Sequence, residues 1–274
     1  MTIQRSTGSQ DMSDNGSNEL EPAQHAMDLS RIESVLSDAR TATGLRSIAP
    51  DAYDAVDRFW GAVYRSPHLS PRMKELVLLA LHGSSSSLNA QAIDRHVKRA
   101  LRAGASGADV HDVLVTIIPL ANHPLYVGIP VLLDELNKAG QESGAEPTSL
   151  TADVQAIRDD FISKRGYWTP MRDTIGRLMP EYFKSFIHAC MEPWRSGSLT
   201  PKERELLYIA IDCSVTHTYE PGMRMHIQNA LRYQATRDEI LEVFQLAGLM
   251  GIEGYILAAD CLSKTAAVST PRHP

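Results

Sequence analysis

Leu69-Ser70-Pro71-Arg72-Met73-Lys74-Glu75-Leu76 recurs as Leu199-Thr200-Pro201-Lys202-Glu203-Arg204-Glu205-Leu206, an offset of 130 residues. The offset then holds without a gap. His96 falls on His226, Ala100-Leu101-Arg102 on Ala230-Leu231-Arg232, Ala105-Ser106 on Ala235-Thr236, and Val113 on Val243; upstream, Pro50-Asp51 falls on Pro180-Glu181. Self-similarity at a fixed period marks a repeated structural unit, so the chain is read as a tandem duplication.

Each copy carries the same helix signals. Ser70 and Thr200 are N-cap types followed by Pro at the first helical position, where the missing N–H would have no partner anyway. Apolar residues then recur at helical spacing: Met73, Leu76, Val77, Ala80 and Leu81 in one copy, Leu206, Leu207, Ala210 and Ile211 in the other. A second helix carries His96 or His226, and a third opens at Ser106-x-x-Asp109 or Thr236-x-x-Glu239, both of capping-box form. Helices over 51–64 and 181–191 precede these sets, and helices over about 127–139 and 252–264 follow. Sustained alternation of β-branched residues is missing, so the fold class is all-α. Boundaries follow from composition: a polar leader at 1–27, a first copy at 28–139, a Gly, Ser, Glu and Pro-rich linker at 140–150, a second copy at 151–266 and a tail at 267–274.

The formal net charge of -6 over 274 residues, with no Lys/Arg run, argues against a nucleic-acid partner, which needs a dense basic surface. The longest apolar stretches, 75–81 and 247–257, fall short of the roughly 18 residues of a membrane span. The leader lacks the apolar core of a signal peptide, which predicts a cytoplasmic chain. Cys190, Cys213 and Cys261 are odd in number and far apart, which fits buried apolar residues better than a disulfide or redox pair.

Leu-Ser-Pro-x-x-x-Glu-Leu, then His, then Ala-Leu-x-x-Gly-Ala resembles the carboxymuconolactone decarboxylase family, related to the alkylhydroperoxidase D proteins. The motif positions are Glu75, His96, Ala100, Leu101, Gly104 and Ala105, and Glu205, His226, Ala230, Leu231 and Ala235, with Gln234 in place of the second Gly. The resemblance implies an alkylhydroperoxidase D-like helical unit, rings of like subunits and sites formed where copies meet. It therefore implies a homo-oligomer, a trimer of chains first and a dimer second. Peroxidase-type relatives carry Cys-x-x-Cys ahead of the His; here those places hold Asn89 and Ala92, and Tyr219 and Gly222. Both copies are also about two residues longer between Glu and His than that type, so thiol peroxidase chemistry is disfavoured and the decarboxylase branch fits.

A His beside a carboxylate suits proton transfer near neutral pH. The catalytic candidates are His96, His226, Glu75 and Glu205; His82, His123, Tyr126, His217 and Tyr219 are candidate substrate-binding groups, with His123 and Tyr126 assigned to the first copy. The two Glu residues are read as lying in the first turn of their helices, where the dipole favours a carboxylate. A buried His can also be a hydrogen-bonded core residue, and its recurrence beside a repeated Glu weighs against that. The spacings HxH and HExxH are missing, so no metal and no cofactor is expected. The expected activity is cofactor-free decarboxylation of a small carboxylated lactone or unsaturated acid. Isomerisation, ring opening or a non-catalytic assembly module are the alternatives, and an open pocket at the His separates an enzyme from a module. Neither copy is favoured as the working one.

Overall fold

The computed structural model describes residues 28–143 and 149–269, which form helices with no strand among them. The expected leader at 1–27, most of the tail and the middle of the linker lie outside the described residues. The first copy contains α1 (Ala39–Ile48), α2 (Pro50–Tyr64), α3 (Pro71–Gly83), α4 (Ala90–Arg102), α5 (Gly107–Thr116) and α6 (His123–Lys138). The second contains α7 (Ala152–Arg165), α8 (Pro170–Leu178), α9 (Pro180–Ser196), α10 (Pro201–Asp212), α11 (Glu220–Arg232), α12 (Arg237–Gly248) and α13 (Glu253–Ser269). From α2 and α9 onward, each helix begins 130 residues from its counterpart.

The caps act as their sequences predict. Ser70 accepts from the Met73 N–H, and Thr200 and Glu203 satisfy each other's backbone in a capping box, as do Ser106 with Asp109 and Thr236 with Glu239. Backbone specials repeat as well. Leu88 and Thr218 share φ +45°, and Gln234 takes φ +64° where Gly104 has +93°, so the second copy keeps the left-handed turn without glycine. One expectation needs correction. Helix α3 begins at Pro71 and α10 at Pro201, so Glu75 and Glu205 sit beyond the first turn, and both are essentially inaccessible. The dipole therefore does not explain them.

Helices α3 and α10 pack against each other at the centre of one shared core to which both copies contribute. Buried ion pairs cross the boundary in reciprocal fashion. Lys74 on α3 meets Glu242 on α12 at 2.9 Å, and their counterparts Arg204 on α10 and Asp112 on α5 form the equivalent pair. Glu242 also accepts the Leu69 N–H, as Asp112 accepts the Leu199 N–H. A charge left alone in such a core would be costly, so these pairs hold the two copies in one register.

The runs Gly107–Lys138 and Arg237–Lys264 are apolar and long enough to meet the length and composition of a bilayer span, although charged and polar residues interrupt both. Each is two helices joined by a 3-10 turn, Ile118–Asn122 in the first and Leu249–Ile252 in the second. These bends bring the starts of α6 and α13 toward the repeated His residues.

Candidate active site

Glu75 is the hub of the first centre. Its Oε2 accepts from His96 Nδ1 at 2.8 Å, and its Oε1 accepts from Tyr64 Oη at 2.8 Å and Arg99 Nε at 2.9 Å. Burial raises the pKa of this carboxyl, but the bond from His96 and the charge of Arg99 outweigh it and hold the group below its ordinary value. The His82 ring stacks on His96 with centroids 5.4 Å apart. The start of α13 closes the centre: Glu253 lies 3.4 Å from His82 Nε2 and is itself held by Arg95 at 2.5 Å and Asn89 at 3.2 Å. Glu75, His82 and His96 are at most 1% exposed, and burial drives the His82 pKa down to about 3. This centre is sealed by a complete ion pair.

The second centre keeps the hub and changes the rim. His226 Nδ1 donates to Glu205 Oε2 at 2.6 Å. Asn229 stands at the place of Arg99, and the guanidinium comes instead from Arg165 at the end of α7, 3.5 Å from Glu205 Oε1. Asp212 replaces His82, and His123, at the start of α6, replaces Glu253. Met225 replaces Arg95, so no arginine fills the space. What remains is a cavity of about 140 Å³ lined by His123, Tyr126, Arg165, Arg172, Tyr219 and His226, among others.

The walls of this cavity are aromatic and cationic. Arg165 is buried among Phe161, Tyr167, Trp194 and Tyr208, and Arg172 lies over Phe161, Tyr167 and Trp168. Arg172 Nε donates to Tyr126 Oη at 3.1 Å, while Arg172 Nη1 and Arg165 Nε and Nη2 have no hydrogen-bond acceptor. Burial lowers the pKa of His226 despite Glu205 beside it, so the resting imidazole is neutral. Asp212 has no hydrogen-bond partner on either oxygen, and burial pushes its carboxyl up to about 8. Cys190 also lines the cavity, but burial pushes its thiol up to about 12, an inert thiol with no second one beside it.

The sequence candidates thus divide between the two centres. Glu75, His82 and His96 meet in the sealed one, and Glu205, His226, His123, Tyr126, His217 and Tyr219 meet at the open one. His123 and Tyr126 belong to the second centre, contrary to their assignment to the first copy, because α6 leaves its own copy and crosses to the other. His123 stacks on Tyr219 with centroids 4.0 Å apart. Sequence reasoning missed Arg165, Arg172, Tyr167 and Tyr208. A signal was available: the segment 161–172 is rich in aromatic and Arg residues, whereas its counterpart 31–42 has no aromatic residue at all.

The chain matches the Carboxymuconolactone decarboxylase family over residues 50–125 and again over 180–257. Among curated proteins none matches. A solved structure from Burkholderia xenovorans LB400, provisionally named a gamma-carboxymuconolactone decarboxylase subunit, is similar with 33% identity and a TM-score of 0.78, over 87% of this chain and 95% of that one. Two family matches, spaced like the two copies and each spanning one Glu–His hub, place the chain in the carboxymuconolactone decarboxylase family as a tandem two-copy member.

Proposed function

We propose that the chain is a decarboxylase-like lyase of small carboxylated substrates, lactone acids or related unsaturated acids, working at the second copy's pocket. The observation that carries this reading is the pair of buried guanidiniums, Arg165 and Arg172, which line the same cavity as His226 and keep N–H groups without an acceptor. Buried donors without acceptors are costly, and a carboxylate bound between them supplies the acceptors with charge assistance. A substrate anchored there lies against an imidazole whose Nδ1 is fixed by Glu205, leaving Nε2 for proton transfer.

In the reaction, the bond between the carboxyl carbon and its neighbour breaks, carbon dioxide leaves, and the electron pair passes into the conjugated carbonyl as an enolate. His226 Nε2 takes a proton from solvent and passes it to that neighbouring carbon, which returns the imidazole to its neutral form. The open pocket with convergent polar groups also favours an enzyme over an assembly module. Incubation with carboxymuconolactone-type acids while carbon dioxide is measured tests the reading. The expected result is release that slows in an Arg172→Met variant; no release from any such acid sinks it. Because the fixed imidazole can accept a proton as well as give one, isomerisation is the second reading. It would show as deuterium incorporation without loss of carbon.

A further inference from the structure

Three side chains, one of them from the other copy, converge at the mouth of the second pocket. His123 opens α6, Asp212 ends α10 and His217 lies in the turn that follows. His123 Nδ1 is 2.6 Å from His217 Nε2, and Asp212 Oδ1 is 3.9 Å from the first and 3.6 Å from the second. All three ligand-type atoms fall within 4.8 Å of one another. A bond between the two imidazoles accounts for their approach but leaves Asp212 unexplained. That carboxylate is fully buried and has no hydrogen-bond partner on either oxygen.

Comparison with the first centre shows what is missing. There the carboxylate, Glu253, is neutralised by Arg95 at 2.5 Å. The equivalent of Arg95 is Met225, so no arginine pairs with the carboxylate of the second centre, which gains an imidazole at His217, where the first copy has Ser87. The backbone also makes room for the acid. At Gly222 a Cβ would come within 2.3 Å of Asp212 Oδ2, whereas the first copy carries Ala92 at that place.

We propose that His123, Asp212 and His217 bind a divalent transition-metal ion. Two imidazoles and one carboxylate form a set that suits Fe²⁺, Mn²⁺, Co²⁺ or Zn²⁺ over the all-oxygen ions, and leave coordination positions open. The side chains of His123 and His217 are 13% and 20% exposed, so an ion can reach the site from solvent. His226 faces it, with Nε2 3.9 Å from Asp212 Oδ2 and its other ring nitrogen held by Glu205. The spacing HxH or HExxH is absent because the ligands come from three separate elements.

The site goes beyond the lyase reading and stands or falls without it, since binding is measured with no substrate present. The full chain, stripped with chelator, is titrated with Co²⁺ by visible absorption and with Zn²⁺ by calorimetry. The expected result is one tightly bound ion per chain. His217→Ala and Asp212→Asn should each weaken it at least tenfold, with circular dichroism and melting temperature confirming the fold. His82→Asn, in the first centre, should leave affinity and stoichiometry unchanged. No binding by the intact chain overturns the proposal, and so does binding that survives Asp212→Asn and His217→Ala or that is lost in His82→Asn.

Discussion

Arg204 reaches across the boundary between the two copies to Asp112, and both side chains are almost wholly removed from water. Its Nη2 donates to Asp112 Oδ2 at 2.7 Å and to the Leu199 carbonyl at 3.0 Å, so the pair also clamps the approach to α10. Removing one partner strands the other charge. Asp112→Ala should cost about 3 to 5 kcal/mol, the usual penalty for breaking a buried pair. Urea denaturation checks this; a loss under about 1 kcal/mol would mean that water enters the interface.

The two centres should respond differently to loss of their His. His226→Asn should lower turnover by a factor on the order of 100 or more with little loss of stability, since His226 borders a cavity and is the proton-transfer group of the proposed reaction. His96→Asn should leave turnover within a few fold and lower the melting temperature, because His96 is sealed against Glu75. Steady-state kinetics beside thermal melts would show the asymmetry. Equal kinetic effects would count against a single working copy.

Arg172→Met keeps much of the side chain's bulk and removes the charge. A charge-assisted hydrogen bond contributes about 1.5 to 3 kcal/mol, so kcat/KM for a carboxylate substrate should fall by roughly 10- to 100-fold. A neutral amide analogue should discriminate little between the two proteins. If the acid and the amide lose equally, Arg172 serves the fold and not the substrate.

Acid should weaken the fold through Glu75. Tyr64, His96 and Arg99 face this carboxyl, and its folded-state pKa lies below the ordinary value. The unfolded chain therefore binds the proton first as pH falls. The stabilisation is complete above the ordinary carboxylate pKa and is lost as pH drops toward the folded value. Unfolding free energies measured between neutral pH and mild acid should decline, and a Glu75→Gln variant, less stable at neutral pH, should decline less steeply. Parallel slopes would assign the acid sensitivity elsewhere.

Helix α6 leaves Val127, Val131 and Leu132 more than half exposed, an apolar face that a neighbouring chain can cover. We expect three chains per particle, equivalent to a ring of six copies. Sedimentation at micromolar concentration should give about three times the 30.2 kDa of one chain, and a mass of one chain would remove the ring. Val131→Glu should shift the particle toward smaller species.

Much of the fold was legible because its determinants are local and occur twice. Ser70-Pro71 and Thr200-Pro201 announce helix starts, and the recurrence of Glu75 with His96 as Glu205 with His226 identified both hubs before any contact was visible. The rims were not legible. His123 completes a centre that belongs to the other copy, which depends on how α6 packs against second-copy helices and not on any local pattern. Arg165 and Arg172 lie ahead of the matched segment, so alignment of the copies drew no attention to them. His82 and Asp212 were seen as counterparts, but only burial shows that one stacks in a closed network while the other is left without a partner.

The exchange of helix starts, with Glu253 closing the first centre and His123 bordering the second, ties the fates of the copies together. A duplicated unit that kept its own rim could be deleted, replaced or left to decay while its twin carried on. Here a change at His123 alters the opposite half of the molecule, and a chain assembled from two first copies would bring an imidazole beside an arginine at both rims, with no Glu253 to close either. The asymmetry between a closed centre and an open one is thus a property of the pair, inherited as a single unit of selection, and the joined chain has become the smallest piece that holds a whole site.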